Sequence, residues 1–295
     1  MIKVASTTGT AWLRLLVMGL ALAAAALSGS ALAGPAGVLD QIKQRGEIRL
    51  AYRDDAPPFS FADANGVPSG YSVDLCLAAA QSIKAQLKMS DLKISYVKVT
   101  ADDRFDAIAQ GKADLLCEAT SETLSRRELV DFSIPTFLSG ASLMIQPGGP
   151  DTFPALAGKK VGVLSGTTTE RGLRNFLRDS GINAEVVVVQ SHPEGFKKLE
   201  QGEIAAYFGD RTIMQYHLVK SDPTSKLMLA DQYLTIEPYA LALPHDPAFR
   251  LAVDRGLSRL YRNGGISKVF ARSFGDQAKP SKLLSALYTS AALPE

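Results

Sequence analysis

The chain has 295 residues, of which 46% are hydrophobic and 21% charged, with 32 Lys and Arg against 30 Asp and Glu. This composition excludes a disordered chain, a collagen-like repeat and a coiled coil. The net charge of +2 gives no reason to expect a nucleic-acid partner.

Residues 1–33 have the pattern of a cleaved secretory signal peptide. Lys3 and Arg14 precede the apolar run 15–27, and a segment of small residues leads to Ala33. The apolar run is shorter than the roughly 20 residues that a membrane-spanning helix needs. We therefore expect residues 1–33 to be removed and the mature protein to reach a bacterial periplasm without a membrane anchor.

Predicted strands and helices alternate through most of the remaining chain. The first series has strands at 47–53, 92–99 and 113–117, with helices at 73–87 and 103–110. The second has strands at 160–164, 184–190 and 204–208, with helices at 169–179, 193–201 and 211–219. An extended segment at 238–243 and helices at 248–261 and 266–274 follow. This order predicts an α/β fold with mostly parallel sheets, and the Pro- and Gly-rich segment 146–150 predicts a boundary between two lobes.

Several polar residues follow predicted strands, where parallel α/β sheets bind ligands. These candidates are Arg53, Arg104, Ser121, Arg126, Thr167, Thr168, His192 and Asp210. Arg104 begins a predicted helix, where the helix dipole disfavours a cation, and this favours a role outside the helix.

Most of these candidates also have an ordinary structural explanation. The segment 165–168 and Asp210 are typical helix N-caps, although a helix start also suits an anion. Arg126 belongs to a charged run that solvent could surround, and His192 precedes a proline that could simply begin a helix.

Cys76 and Cys117 are the cysteines of the chain. In an oxidising compartment they could form a disulfide, and two buried free thiols are the alternative. His192, His217 and His245 are not at metal-ligand spacing. We therefore expect neither a metal nor a cofactor.

Motifs in consistent order over residues 38–275 resemble the extracytoplasmic solute-binding proteins of polar amino-acid ABC transporters, the family 3 type. The stretches that carry this resemblance are 38–50, 57–61, 70–75, 111–114, 126–133, 208–210 and 263–270. The likeness implies a two-lobed periplasmic binding protein of type II, with two strands crossing between lobes near 143–146 and 239–243. Lobe 1 would comprise 34–144 and 243–295, and lobe 2 would comprise 145–242.

The candidates suit the chemistry of an amino acid. Arg126 offers a planar fork for the α-carboxylate, and the family resemblance places Ser121, Thr167 and Thr168 beside it. Asp210 supplies a negative charge for the ammonium group.

Three further groups bear on the ligand side chain. Arg53, Arg104 and His192 are potential cations, which predicts an acidic side chain as their complement. The pattern resembles glutamate/aspartate-binding members most, but Ala101 and Ala119 stand where small hydroxyl residues are expected. This departure leaves room for another polar or dicarboxylic amino acid, and a neutral His192 would suit an amide.

We therefore predict a monomeric, non-enzymatic receptor that captures a small amino acid and delivers it to an inner-membrane ABC permease. One alternative is an exported enzyme resembling cyclohexadienyl dehydratases, with His192 or Glu118 as its acid or base. Another is a ligand sensor that docks on a signalling receptor.

Overall fold

The computed structural model describes residues 1–2, 36–220 and 225–294. It divides into two units, Met1–Gly37 and Val38–Glu295. The predicted signal peptide lies, except for Met1 and Ile2, outside the described residues. Along the described parts of the chain, no helix combines the length and apolar character needed to cross a membrane.

Strands and helices alternate through the second unit. The strands are β1 (Glu47–Tyr52), β2 (Asp55–Ala56), β3 (Ser60–Ala62), β4 (Pro68–Ser69), β5 (Lys93–Lys98), β6 (Leu115–Leu116), β7 (Asp131–Phe132), β8 (Phe137–Ser139), β9 (Ala141–Ile145), β10 (Lys160–Leu164), β11 (Glu185–Val189), β12 (Ala206–Asp210), β13 (Met228–Tyr233), β14 (Glu237–Tyr239) and β15 (Ala242–Leu243). The helices are α1 (Val38–Arg45), α2 (Tyr71–Gln86), α3 (Arg104–Ala109), α4 (Leu124–Arg127), α5 (Thr168–Asp179), α6 (His192–Glu200), α7 (Arg211–Lys220), α8 (Pro247–Arg262), α9 (Gly265–Phe274) and α10 (Lys282–Ala291).

Two five-stranded sheets organise this unit. The first has the order β5-β1-β6-β15-β7, and the second has the order β11-β10-β12-β9-β13. In the first sheet β1 runs parallel to β5 and β6, and in the second β10 runs parallel to β11 and β12. Antiparallel strands complete one side of each sheet. The predicted α/β class with parallel pairing is confirmed.

Helix α5 shows how the local sequence produces these elements. Thr167 caps the helix by accepting a hydrogen bond from the backbone N–H of Glu170, at 3.1 Å. Leu173 and Leu177, one helical turn apart, are buried against the second sheet, while Arg174 lies on the solvent side. The capping residue and the apolar spacing together explain why the predicted helix forms here.

A pair of strands connects the two sheets. Strands β8 and β14 run antiparallel, with Phe137 opposite Tyr239 and Ser139 opposite Glu237. The chain passes through β8 before entering the second sheet at β9, and through β14 before returning at β15. The first crossing strand is therefore β8, which precedes the crossing predicted near 143–146. Leu143 and Ile145 instead lie in β9 and are buried in the core.

Cys76 and Cys117 form a disulfide with their Cα atoms 6.0 Å apart. The bond joins α2 to the segment that follows β6, across 41 positions of sequence. Cross-links of this kind typically stabilise a fold by about 2–4 kcal/mol. Of the two alternatives that the sequence left open, the structure has the disulfide.

The C-terminal helix α10 packs on the same core as α2. Leu284 and Tyr288 are buried, and the Tyr288 hydroxyl lies 2.6 Å from the hydroxyl of Tyr71. The Tyr71 hydroxyl also donates to the carbonyl of Thr136, just before β8. The C-terminal segment is thus part of the framework that carries one of the connecting strands.

Candidate ligand-binding site

One cavity of about 40 Å³ brings together all eight residues that the sequence singled out. They are Arg53, Arg104, Ser121, Arg126, Thr167, Thr168, His192 and Asp210. The other residues that line the cavity are Ala119, Thr169, Ile213, Glu237 and Tyr239.

The topology explains why residues so distant in sequence meet. Arg53 follows β1, Ser121 follows β6, Thr168 begins the helix after β10, and His192 begins the helix after β11. Parallel strands place their carboxyl ends along one edge of a sheet, so the residues that follow them lie close together. The cavity lies where two such edges face each other.

Arg53 and Arg104 are buried on either side of the carboxylate of Glu118. Arg104 Nε lies 2.9 Å from Glu118 Oε1, and Arg53 Nη1 lies 3.4 Å from Glu118 Oε2. Burial lowers the pKa of Arg104. Burial also acts to lower the pKa of Arg53, but the charges of Glu118 and Asp55 outweigh it and raise that pKa. Both guanidiniums are therefore charged and already paired, and the partner of Arg104, Glu118, lies outside its helix.

His192 is buried and neutral. Its Nδ1 lies 2.9 Å from the Tyr207 hydroxyl, and its backbone N–H donates to Asp55 Oδ2 at 3.1 Å. Burial, reinforced by the charge of Arg53, lowers the pKa of His192 to about 3. The expectation that His192 adds a positive charge is therefore wrong near neutral pH, because burial of an imidazole disfavours its charged form.

Arg126 and Arg127 are adjacent in sequence but have different environments. Arg126 is buried, stacks over the ring of Phe105 at 4.8 Å and donates from Nη1 to the carbonyl of Ser121 at 2.7 Å. Burial and the nearby Arg104 lower the pKa of Arg126 to about 10, so it stays charged at pH 7. Arg127 is exposed and pairs with Glu122. The alternative of a solvent-exposed run of charges therefore applies to Arg127 but not to Arg126.

Glu237 is a member of the site that the sequence did not reveal. Its Oε2 accepts hydrogen bonds from the hydroxyls of Thr168, at 2.6 Å, and Ser121. Thr167, by contrast, uses its side chain to cap α5. Glu237 immediately precedes the predicted extended segment 238–243, but only the pairing of β14 with β8 brings its side chain to the hydroxyls.

Asp210 combines its ordinary structural role with a position in the cavity. Its Oδ1 accepts from the backbone N–H of Ile213 at 2.8 Å, as an N-cap does, and its Oδ2 accepts from Ser139 and Tyr239. Burial raises its pKa above the ordinary value. The carboxyl group is thus held in a fixed orientation at the cavity wall.

Loops from the two sheets meet directly beside the cavity. The Ser165 hydroxyl donates to Asp102 Oδ1 at 2.9 Å, and Arg104 Nη2 donates to the carbonyl of Gly166 at 3.3 Å. Gly166 has a φ of +66°, and a Cβ there would lie 2.9 Å from the carbonyl oxygen of Ala101. This close approach depends on glycine, because any side chain would contact the facing loop.

The two sheets are joined by a pair of strands. Buried guanidiniums, hydroxyls and a carboxylate lie where the sheets face each other. These features define a two-lobed ligand-binding protein of the α/β class. Residues 48–276 match the family model described as bacterial extracellular solute-binding proteins, family 3. The chain belongs to this family.

Relatives with assigned names share most of its length. The chain is 30% identical over 271 residues to the L-glutamate/L-aspartate-binding protein of Pseudomonas aeruginosa, covering 90% of each chain. Among solved structures, it is similar to a mutant of ArgBP from T. maritima, with a TM-score of 0.71, 25% identity and coverage of 80% of this chain and 98% of that one. It is also similar to the ancestral amino acid-binding protein AncCDT-1, a precursor of cyclohexadienyl dehydratase, with a TM-score of 0.70, 26% identity and coverage of 81% and 100%.

Proposed function

We propose that this protein is the substrate-binding component of an amino-acid ABC transporter and binds a polar, acidic L-amino acid between its lobes. The observation that carries the proposal is the convergence of Arg126, Thr168 and Asp210 on one cavity. A guanidinium and a hydroxyl suit a carboxylate, and a carboxylate suits an ammonium group, so the three match a zwitterion.

The α-carboxylate would bind between Arg126 and the hydroxyls of Ser121 and Thr168. Glu237 already places a carboxylate oxygen on both hydroxyls, which supports their use as carboxylate donors. The amino acid would take the place of Glu237, and its ammonium group would face Asp210.

Binding of an amino acid at this position requires the lobes to separate and close again. The cavity of about 40 Å³ is far smaller than the roughly 300–1,000 Å³ of typical small-molecule sites, so it does not admit an amino acid as it stands. Because a ligand that contacts both lobes gains these contacts only after closure, it favours the closed state. Of the predicted lobes, 34–144 with 243–295 and 145–242, we propose to move the first boundary to β8, because Ala141–Ile145 pairs with β12 of the second sheet.

The ligand side chain would lie toward Arg53, Arg104 and His192. Arg104 Nη1 is a buried donor without a hydrogen-bond acceptor, and such a group favours a ligand that brings one. The name of the Pseudomonas aeruginosa relative supports an acidic side chain. Ala119 lines the cavity in place of a hydroxyl residue.

A thermal-shift panel of the amino acids tests the proposal. We expect glutamate and aspartate to raise the melting temperature more than leucine or lysine. A ligand present at 100 times its Kd stabilises the folded state by about 2.7 kcal/mol. A panel in which no amino acid shifts the transition would refute the proposal, and an optimum at lysine would refute the acidic assignment alone.

Replacing Glu237 with glutamine should tighten ligand binding by at least about threefold. The substitution removes a negative charge that competes with the α-carboxylate for the same hydroxyls, while keeping the shape of the side chain. Isothermal titration with the preferred amino acid measures the change. Glu128→Gln, at an exposed position, controls for the loss of net charge. Unchanged or weaker binding by the Glu237 variant would contradict this assignment.

We favour binding over catalysis because Glu118, a candidate acid or base, is held by internal partners. It accepts a hydrogen bond from Thr120, lies against two guanidiniums and does not line the cavity. A general acid or base has to reach the substrate, and these contacts hold Glu118 away from it. Turnover of prephenate or arogenate by the purified protein would favour the dehydratase alternative.

The remaining assignments follow from membership of the family. We propose that residues 1–33 direct export to the periplasm, where the mature protein acts as a monomer and delivers its ligand to an inner-membrane permease. A ligand sensor that docks on a signalling receptor would use the same closing motion, and transport assays with the permease distinguish the two.

A further inference from the structure

The buried carboxylate of Glu118 lies against Arg53 and Arg104, the two arginines that line the part of the cavity assigned to the ligand side chain. Its side chain has no solvent exposure. Oε1 accepts from the Thr120 hydroxyl at 2.6 Å and lies 2.9 Å from Arg104 Nε, while Oε2 lies 3.4 Å from Arg53 Nη1. The Ser72 hydroxyl donates to its backbone carbonyl at 3.0 Å. Glu118 is therefore fixed between the two guanidiniums.

The charges at this end of the cavity cancel. Arg53 and Arg104 contribute two positive charges, and Glu118 and Asp55 contribute two negative ones. His192 adds none, because burial makes it neutral. A side-chain carboxylate would therefore bring an uncompensated charge into a buried site, whereas a carboxamide would not.

The hydrogen-bonding groups present suit an amide as well as an acid. The Nη1 group of Arg104 has no hydrogen-bond acceptor, and an amide oxygen supplies one as a carboxylate oxygen does. The amide NH2 group in turn needs an acceptor, which the neutral ring of His192 in the cavity wall can supply. With Glu118 in place, charge gives no strong preference for the acid over the amide.

We propose that Glu118 determines the acid-to-amide selectivity of the protein, so that it binds carboxamide amino acids with affinities similar to those for their acidic counterparts. This inference rests on the proposed function, since it concerns the same pocket. Glu118 is not one of the residues proposed to bind the α-carboxylate or the ammonium group. On this inference it sets the preference between a charged and an uncharged ligand side chain.

The test is calorimetric titration of L-glutamate and L-glutamine into the wild type and the Glu118→Gln variant. We expect the two wild-type Kd values to lie within tenfold of each other. In the variant, the ratio of the glutamine Kd to the glutamate Kd should rise by tenfold or more, since two guanidiniums then face one fewer carboxylate. Glu122→Gln is the matched control, because it removes the same charge from a residue that pairs with the exposed Arg127, and its ratio should equal that of the wild type.

A wild-type preference for glutamate above tenfold, or a smaller shift in the variant, overturns the inference. If Glu118→Gln does not fold, Asp55→Asn removes the other carboxylate that pairs with Arg53 and should shift the ratio in the same direction by tenfold or more. Failure of the proposed function looks different, because then neither amino acid binds the wild type.

Discussion

Replacing Arg126 with alanine is expected to weaken amino-acid binding by at least about 30-fold. Removing one partner of a buried, hydrogen-bonded charge pair costs roughly 2–5 kcal/mol, and about 2 kcal/mol corresponds to that factor. The wild-type Arg126 is buried beside the hydroxyls that would share the α-carboxylate, and it stays charged because its pKa, although lowered by burial, is still about 10.

The neighbouring arginine provides the control for this experiment. Arg127→Ala removes the same charge and the same length of side chain from an exposed position that pairs with Glu122. Its Kd should match that of the wild type in isothermal titration, since exposed ion pairs contribute little. Equal affinities of the Arg126→Ala variant and the wild type would show that Arg126 is not part of the site. Thermal melting of both variants without ligand separates loss of affinity from loss of folding.

Replacing Gly166 with alanine is expected to weaken binding by about tenfold or more, although Gly166 does not line the cavity. A Cβ at this position would lie 2.3 Å from Asp102 Oδ1 and 2.9 Å from the carbonyl oxygen of Ala101. The facing loop would have to move, and the closed arrangement of the two sheets would become less favourable. Because the ligand binds the closed state best, a cost to closure lowers its affinity by the same factor.

Gly202→Ala separates closure from backbone strain. Gly202 has a φ of +72°, close to the +66° of Gly166, but a Cβ there meets nothing within 4 Å. Both variants therefore carry the cost of alanine in a left-handed conformation, and only Gly166→Ala obstructs the contact between loops. Titration of both proteins with the same amino acid should show the loss in Gly166→Ala alone. Equal affinities for the two variants would show that this contact does not control closure.

The sequence predicted most of the helices and strands because their signals are local. The strand at 160–164 and the helix at 169–179 match β10 and α5, where apolar spacing and a capping threonine act within a few residues. Strand β12 lies at 206–210 rather than 204–208, so that Asp210 ends the strand and also caps the next helix. The sequence did not predict the short strands β2, β3 and β4, because two or three residues carry too little pattern.

Most of the eight candidate residues could be found from sequence because they follow or end a strand or begin the next helix, and parallel topology brings such positions together. Arg126 instead lies in the last turn of α4, well beyond the end of β6. The sequence by itself thus determined the α/β class and eight of the polar residues that line the cavity, but not Glu237. Only the tertiary structure decided the charge of that cavity. Glu118 and Glu237 reach the arginines and hydroxyls through the pairing of β1 with β6 and of β8 with β14, and His192 loses its charge through burial. Those effects depend on distance and on exclusion of water, which arise only when segments far apart in the chain pack against one another.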